Sequence, residues 1–350
     1  MSDRIKRLID RLETRHTLTK TEWAEVFDGF DDSDREYAAK KARAVSLGVF
    51  GSNIYIRGIV EFSNVCRNDC YYCGIRRSNK AAQRYRLTDD EILSCCDEGY
   101  GFGFRTFVLQ SGEDYNEYPA ERIAGIVKRI KAAHPDCAVT LSLGEMEYDD
   151  LKLMREAGAD RYLLRHETAA KSLYQKLHPD IMSFEHRMKC LKWLKELGYQ
   201  TGAGMMIGAP YQTSEDLAED MLFLRELEPH MIGTGPFLPH KDTPFKDFPK
   251  GSYELTLLVL SLCRLMLPKV LLPATTALGT IREDGREQGV LAGANVIMPN
   301  LSPTAVRKKY MLYDGKIGTA SAAADGLEDI KNRMRSIGYE VMISRGDFKL

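Results

Sequence analysis

Three cysteines fall within eight residues, Cys66, Cys70 and Cys73, in the run EFSNVCRNDCYYCG that starts at Glu61. Thiolates are soft ligands that select zinc or iron–sulfur clusters over hard cations. A structural zinc site needs a fourth ligand, and His134, His166 and His178 stand at no zinc-finger spacing from this group. A ferredoxin-type run would bring a fourth cysteine in a related pattern. Three thiols without a fourth suit a [4Fe–4S] cluster whose remaining iron is open to a substrate or cosubstrate, with zinc as the alternative. The other five cysteines, Cys95, Cys96, Cys137, Cys190 and Cys263, read as small buried hydrophobes.

Further polar groups stand where apolar runs end. Gln110-Ser111-Gly112-Glu113-Asp114 joins a glycine, which lets backbone approach a ligand, to a carboxylate that can pair with an ammonium group. A solvated helix cap on Ser111 is the plainer reading. Thr140 and Ser142 are two apart and share one side of a strand. Arg161 and Arg165 also share a side, and an arginine inside a barrel demands a counter-charge. Glu167 or an anionic substrate would supply it, unless these are surface ion pairs. Arg187 taken alone reads as a solvent-facing helix residue. The glycines around Met206 admit a flat ligand or simply make a tight turn. Thr275, Thr276 and Met298 end the last two apolar runs, and core packing is the ordinary role for Met298.

The elements that would position these groups are legible from periodicity. The first 50 residues are helical, with Ile5, Leu8, Ile9 and Leu12 on one face. Thr19 and Thr88 each open a capping box. Eight apolar strands are expected at 54–62, 104–109, 138–143, 161–164, 202–207, 231–235, 271–276 and 294–298, separated by helices with glycine stops. Such alternation makes the fold class α/β, a closed (β/α)8 TIM-type barrel. The domain division is an N-terminal helical layer at 1–50, the barrel at 51–300 and a C-terminal extension at 301–350 packed on the barrel.

Composition narrows the function. With 49 basic and 50 acidic residues interspersed, the net charge of −1 offers nothing to nucleic acid. No run approaches the roughly 18 apolar residues of a membrane span, and the N-terminus lacks the apolar core of a signal peptide. A cytoplasmic protein with reduced thiols is expected.

The cysteine spacing with an aromatic before the last cysteine resembles the signature of the radical S-adenosylmethionine (SAM) superfamily. The collinear segments RYRLT, VLQSGED, VTLSLGE, RYLLRHET, GYQTGAGMMIGAP, GPFLPHKDTP, LLPATTALGT and GANVIMPNLSP resemble one branch of it, the HydE family of [FeFe]-hydrogenase maturases, over residues 1 to about 345. That resemblance implies a barrel with SAM at the top of a long cavity and the substrate below. Cys66, Cys70 and Cys73 would bind the cluster, and Tyr72 would lie near the adenine. Ser111, Gly112 and Glu113 would receive the SAM amino group, with Glu167 and Arg187 at the ribose and carboxylate. Ser142 and Met206 would complete the cofactor site. Thr140, Arg161, Thr275, Thr276, Met298 and Tyr310 would surround an anionic substrate. The implied activity is reductive SAM cleavage to a 5′-deoxyadenosyl radical that attacks the sulfur of an iron–dicarbonyl–cyanide–cysteine precursor. The implied partners are a reductant such as ferredoxin or flavodoxin and, transiently, the other maturases. The alternative is a related radical SAM enzyme on another small molecule, such as the mutase that converts lysine to 3-methylornithine.

Some members of the family carry a second cysteine set near the C-terminus, whereas residues 316–325 here contain no cysteine. One cluster per chain is therefore expected, and anaerobic reconstitution should load about four irons. A content close to eight would contradict this.

Overall fold

The computed structural model describes residues 2–318 and 323–349, so part of the cysteine-free stretch 316–325 lies outside the described residues. Its centre is a ring of parallel staves. The first is split at Arg57 into Asn53–Ile56 and Gly58–Ser63. Gly58–Ser63 pairs with Thr106–Ser111, followed in order by Ala138–Ser142, Arg161–Leu163, Gln200–Ala203 and Met231–Ile232, all parallel. Closure runs through shorter contacts. Met231 bridges Leu271, Pro273 bridges Val296, and Val296–Ile297 pairs with Tyr55 and Ile56. A last bridge from Asn300 to Ile59 completes the eight-membered ring. Met206–Ile207 and Gly235–Pro236 form a separate two-stranded pair.

The helices begin where their sequences say they should. Thr19 with Glu22, Thr88 with Glu91 and Thr213 with Asp216 each satisfy two otherwise unpaired amide groups in capping boxes. The helix Asp32–Phe50 extends beyond the 34–46 core of its pattern, because Asp31 and Asp34 make a capping box one turn earlier. It packs with Ser2–Arg15 over Tyr253–Met266. That double cover explains why residues 256–266 are buried on all sides.

The C-terminal segment does more than lie against the barrel. Glu340–Met342 adds a parallel strand beside Asn53–Tyr55. The chain then turns under the staves' N-terminal ends, where Thr106 Oγ1 donates to the Arg345 carbonyl at 2.8 Å. Phe348 meets the His230 ring edge-on, with centroids 4.7 Å apart.

This floor corrects the expected surroundings of Arg161. The residue is 0% exposed. Its guanidinium donates to Thr106 Oγ1 at 3.0 Å, to the Arg345 carbonyl at 2.7 Å and to Asp347 at 2.5 Å. Its counter-charge within the chain is thus Asp347 and not Glu167. The physical reason is position: Arg161 begins its stave, so its inward side chain lies at the floor, far from the rim where Glu167 emerges.

Asp347 side chain is about one-third exposed, which screens the pair but leaves Arg161 wholly buried. Asp347→Ala should lower unfolding stability by about 1–3 kcal/mol through the uncompensated charge. Denaturant unfolding of the two proteins tests this, and a difference under about 0.5 kcal/mol would show that the floor does not depend on the pair.

Candidate active site

The first stave ends at Ser63, and the chain enters the cysteine loop under tight restraint. Gly112 packs so closely beneath it that a Cβ there would sit 2.3 Å from the Val65 carbonyl oxygen and 2.7 Å from Cys66 Cβ. The Glu113 amide donates to Cys66 Sγ at 3.4 Å. On the other side the Tyr71 amide donates to the Leu177 carbonyl at 3.0 Å. Burial raises all three thiols above their ordinary value; the charges of its neighbours add to this, and Cys73 is pushed to about 12. Among the described residues the donor group lying within 4.8 Å of one another is Glu145, His186 and Cys190, so the three loop sulfurs do not all come that close. A polynuclear centre accommodates such a spread more readily than a lone zinc ion.

Around the thiols, the polar groups form linked pairs. Glu113 is buried, accepts from the Glu145 amide at 2.9 Å and pairs with Arg67 at 3.0 Å. Gly144 covers it: φ is +83° there, and a Cβ would collide with the Glu113 carboxylate at 2.2 Å. Glu145 in turn accepts from Arg187 Nε at 2.6 Å and pairs with His186 at 2.6 Å. Arg187 also donates to the Arg165 carbonyl at 2.8 Å. This arginine is buried rather than solvent-facing, because the Ser183 cap starts the helix Phe184–Glu196 against the rim.

Glu167 is held in the left-handed region, φ +65°, a strained conformation for a residue with a side chain. Its backbone is tied to Gly204 and Met206 on the next stave. Beside it His166 Nδ1 accepts from the Gly204 amide at 3.2 Å, and Nε2 faces buried Asp220 at 3.3 Å. Arg165 Nη2 lies 2.8 Å from Glu167 Oε2 yet out of line for a hydrogen bond, so that oxygen and Arg165 Nε have no hydrogen-bond partner. Tyr72 donates its hydroxyl hydrogen to His178 Nε2 at 3.1 Å, while His178 Nδ1 donates to the Tyr174 carbonyl at 2.9 Å. The tautomer is assigned from that carbonyl.

Cys70, Tyr72, Glu167 and Arg187 thus lie within electrostatic reach of one another at one end of the barrel. Ser111 ends the second stave at the same rim, and Ser142 the third. Met206 is buried with Tyr71, Tyr72 and Leu177. Tyr310 is buried and accepts from Gln110 Nε2 at 3.2 Å. Thr140 and Thr275 each bury a hydroxyl without a hydrogen-bond partner. Thr276 opens the short helix Thr276–Ile281, and Met298 packs lower down with Met231, Leu271 and Phe348. Arg161 stands apart at the floor.

Four participants escaped the sequence reading. Glu145 follows the glycine at a strand end, a position that marks candidates in a barrel. His178 and Glu61 carry no such signal; Glu61 pairs with Lys316 and accepts from Asn300 at 2.8 Å. Arg57 is the most telling. It is 5% exposed at the break in the first stave, and its Nε and Nη2 have no hydrogen-bond partner. Burial, and then the neighbouring Arg161 charge, push its guanidinium well below the ordinary value.

Comparison with known proteins agrees with this geometry. Residues 60–224 match the radical SAM superfamily. The chain is 49% identical over 312 residues to the [FeFe] hydrogenase maturase subunit HydE of Thermotoga maritima, covering 89% of this chain and 88% of that one. The chain belongs to the HydE family of radical SAM enzymes. It is also 33% identical to the 3-methylornithine synthase of Methanosarcina barkeri, over 80% of this chain and 78% of the other. The crystal structure of methylornithine synthase (PylB) superposes with a TM-score of 0.83 at 26% identity, covering 96% and 97% of the two chains. The maturase HydG superposes at 0.82, with 21% identity over 98% and 77% of the chains, a likeness of fold.

Membership of the HydE family implies a [4Fe–4S] cluster and SAM, and the donor set here fits both: three loop thiols, a buried carboxylate at Glu113 and a buried guanidinium at Arg187. His178 gives the site a pH signature. Burial first, and then the Arg187 charge, depress its pKa to about 3. The imidazole is therefore neutral when folded but protonates near 6.5 when unfolded. Stability present above that value should be lost as pH falls from about 6.5 towards 3, by about 1–2 kcal/mol at pH 5. His178→Gln should flatten this part of the profile, and an unchanged slope in denaturant titrations at pH 7 and 5 would refute the assignment.

Proposed function

We propose that this protein acts in assembling the [FeFe]-hydrogenase H-cluster, on an anionic iron–dicarbonyl–cyanide–cysteine precursor held inside the barrel below SAM. The observation that carries the substrate class is a set of buried polar atoms without hydrogen-bond partners among the described residues: Arg57 Nε and Nη2, Arg165 Nε, and the hydroxyls of Thr140 and Thr275. Unpaired buried donors cost about 1–3 kcal/mol each, more when charged, and an anion bound beside Arg57 would offset that cost. Arg57 in particular has the unmet charge that Arg161, satisfied by Asp347, does not.

Cys66, Cys70 and Cys73 hold the single cluster, and the reductant is a protein such as ferredoxin or flavodoxin. A cluster held there would supply the one electron needed to split SAM into methionine and a 5′-deoxyadenosyl radical, whose 5′ carbon would bond to the precursor's sulfur with the unpaired electron passing to the precursor's iron. Ser111, Gly112 and Glu113 receive the SAM amino group. Arg187, held by Glu145, meets the carboxylate. Glu167 faces the ribose, Tyr72 the adenine, and Ser142 and Met206 close the cofactor space. Thr140, Thr275, Thr276, Met298 and Tyr310 enclose the substrate with Arg57 and Arg165. The other maturases are the transient partners.

The test is release of methionine and appearance of the 5′-adenosyl group on the precursor's sulfur when the reconstituted enzyme meets a synthetic precursor complex. The complex should accelerate SAM cleavage and become adenosylated, and Cys73→Ala should abolish both. Arg57→Met should raise the half-saturating precursor concentration about 10–100-fold, the loss of a charged hydrogen bond, while leaving cluster content unchanged. Isomerisation of lysine with no response to the precursor would move the assignment to the 3-methylornithine synthase activity of the relatives that share this fold.

A further inference from the structure

Cys70 lies close to the surface on one side. Its sulfur is 3.7 Å from Met182 Sδ, and the next residue outward, Ile181, is the most exposed large hydrophobic side chain among the described residues, at 73%. An isoleucine so placed has no packing role in the chain itself. Tyr211 is 54% exposed and held at φ +69°, its ring propped edge-on against Phe245 and Phe248. Phe245 in turn contacts Tyr71, the residue after Cys70. Exposed apolar groups therefore lead to Cys70 by two routes, Ile181 through Met182 and Tyr211 through Phe245 and Tyr71.

The charges around this surface are unevenly spent. Lys176 is exposed, lies over the Tyr211 ring at 5.6 Å and makes no ion pair. Arg77 is exposed and unpaired, its amide donating to the Asn68 carbonyl at 2.9 Å, two residues before Cys70. Lys246 and Lys250 flank Phe248 and are likewise exposed without ion pairs. Of the acids nearby, Asp69 is bound to Arg76 and Ser78, and Glu185 to Lys171. Asp180 and Asp247 remain exposed. Among the described residues these four cations make no ion pair and two acids stay exposed, an excess of positive charge that steers an acidic partner.

We propose that Ile181, Tyr211, Lys176 and Arg77 form the docking surface for a small acidic electron-carrier protein, which delivers the electron at the Cys70–Met182 contact. The proposal rests on the radical SAM reading above, because it needs a cluster at Cys70. The step is a single electron transfer: the reduced carrier loses one electron, the cluster gains it, and no bond forms or breaks.

Binding and reduction are measured separately, using an acidic [2Fe–2S] ferredoxin as the probe and reconstituted enzyme in wild-type, Ile181→Asp and Lys176→Glu/Arg77→Glu forms. In titration calorimetry, wild-type affinity should fall as salt rises, and each variant should bind at least about ten-fold more weakly. In stopped-flow reduction, ferredoxin-driven cluster bleaching should slow by a similar factor in the variants. Dithionite-driven reduction should be unchanged, since that small ion needs no docking surface. Equal ferredoxin binding by wild type and variants, or none by wild type, would overturn the docking surface alone, provided dithionite still drives SAM cleavage. Failure to assemble a cluster would overturn the radical SAM reading and this proposal with it.

Discussion

Charge buried inside a parallel barrel has to be answered, and this chain buries arginines at several heights along the same ring. The floor position, Arg161, takes Asp347 from the far end of the sequence. At the rim Arg165 stands beside Glu167, and Arg187 is clamped by Glu145. Between them Arg57 has no anionic partner of its own. Because desolvation makes an unpaired cation expensive, these pairings determine which parts of the interior are finished structure and which still require a ligand. The satisfied floor and the unsatisfied Arg57 follow from the same accounting of charge.

The lower end of the barrel is completed by the far end of the chain, because the tail that neutralises Arg161 also adds a strand beside Asn53–Tyr55. The upper end is organised differently, by the short-range web of Glu113, Glu145, His186 and Arg187, in which one loop's backbone orients the next loop's carboxylate. A rim built from such connected pairs holds several charged groups rigid together, the condition for preorganised electrostatics. Strain at Glu167 is sustained by the same means, through Gly204, His166 and Asp220.

Much of this was legible in sequence wherever the signal was local. The Cys66-Cys70-Cys73 spacing, the capping boxes at Thr19 and Thr88, and the apolar runs of the staves each depend on neighbours a few residues away, and the structure reproduces them. The exceptions are long-range. The first stave is one apolar run in sequence but divides at Arg57, because its two halves pair with different neighbours. Arg187 looks like any helix-surface residue until the helix is docked against Glu145, 42 positions earlier. Arg161 and Asp347 are 186 residues apart, and no periodicity announces such a pair. Short staves such as Met231–Ile232 were drawn longer in sequence than they are, since their pairing yields early to rim loops.

The proposed function joins SAM cleavage at the thiol end of the barrel to an anion-binding interior serving hydrogenase assembly. Its most direct test is an anaerobic hydrogenase-maturation mixture lacking only the HydE-type component, supplemented with reconstituted protein, SAM and reductant. Hydrogen evolution should be restored by the wild-type protein. No restoration, with SAM still cleaved in the same mixture, would contradict the claim and leave a radical SAM enzyme that works on something else.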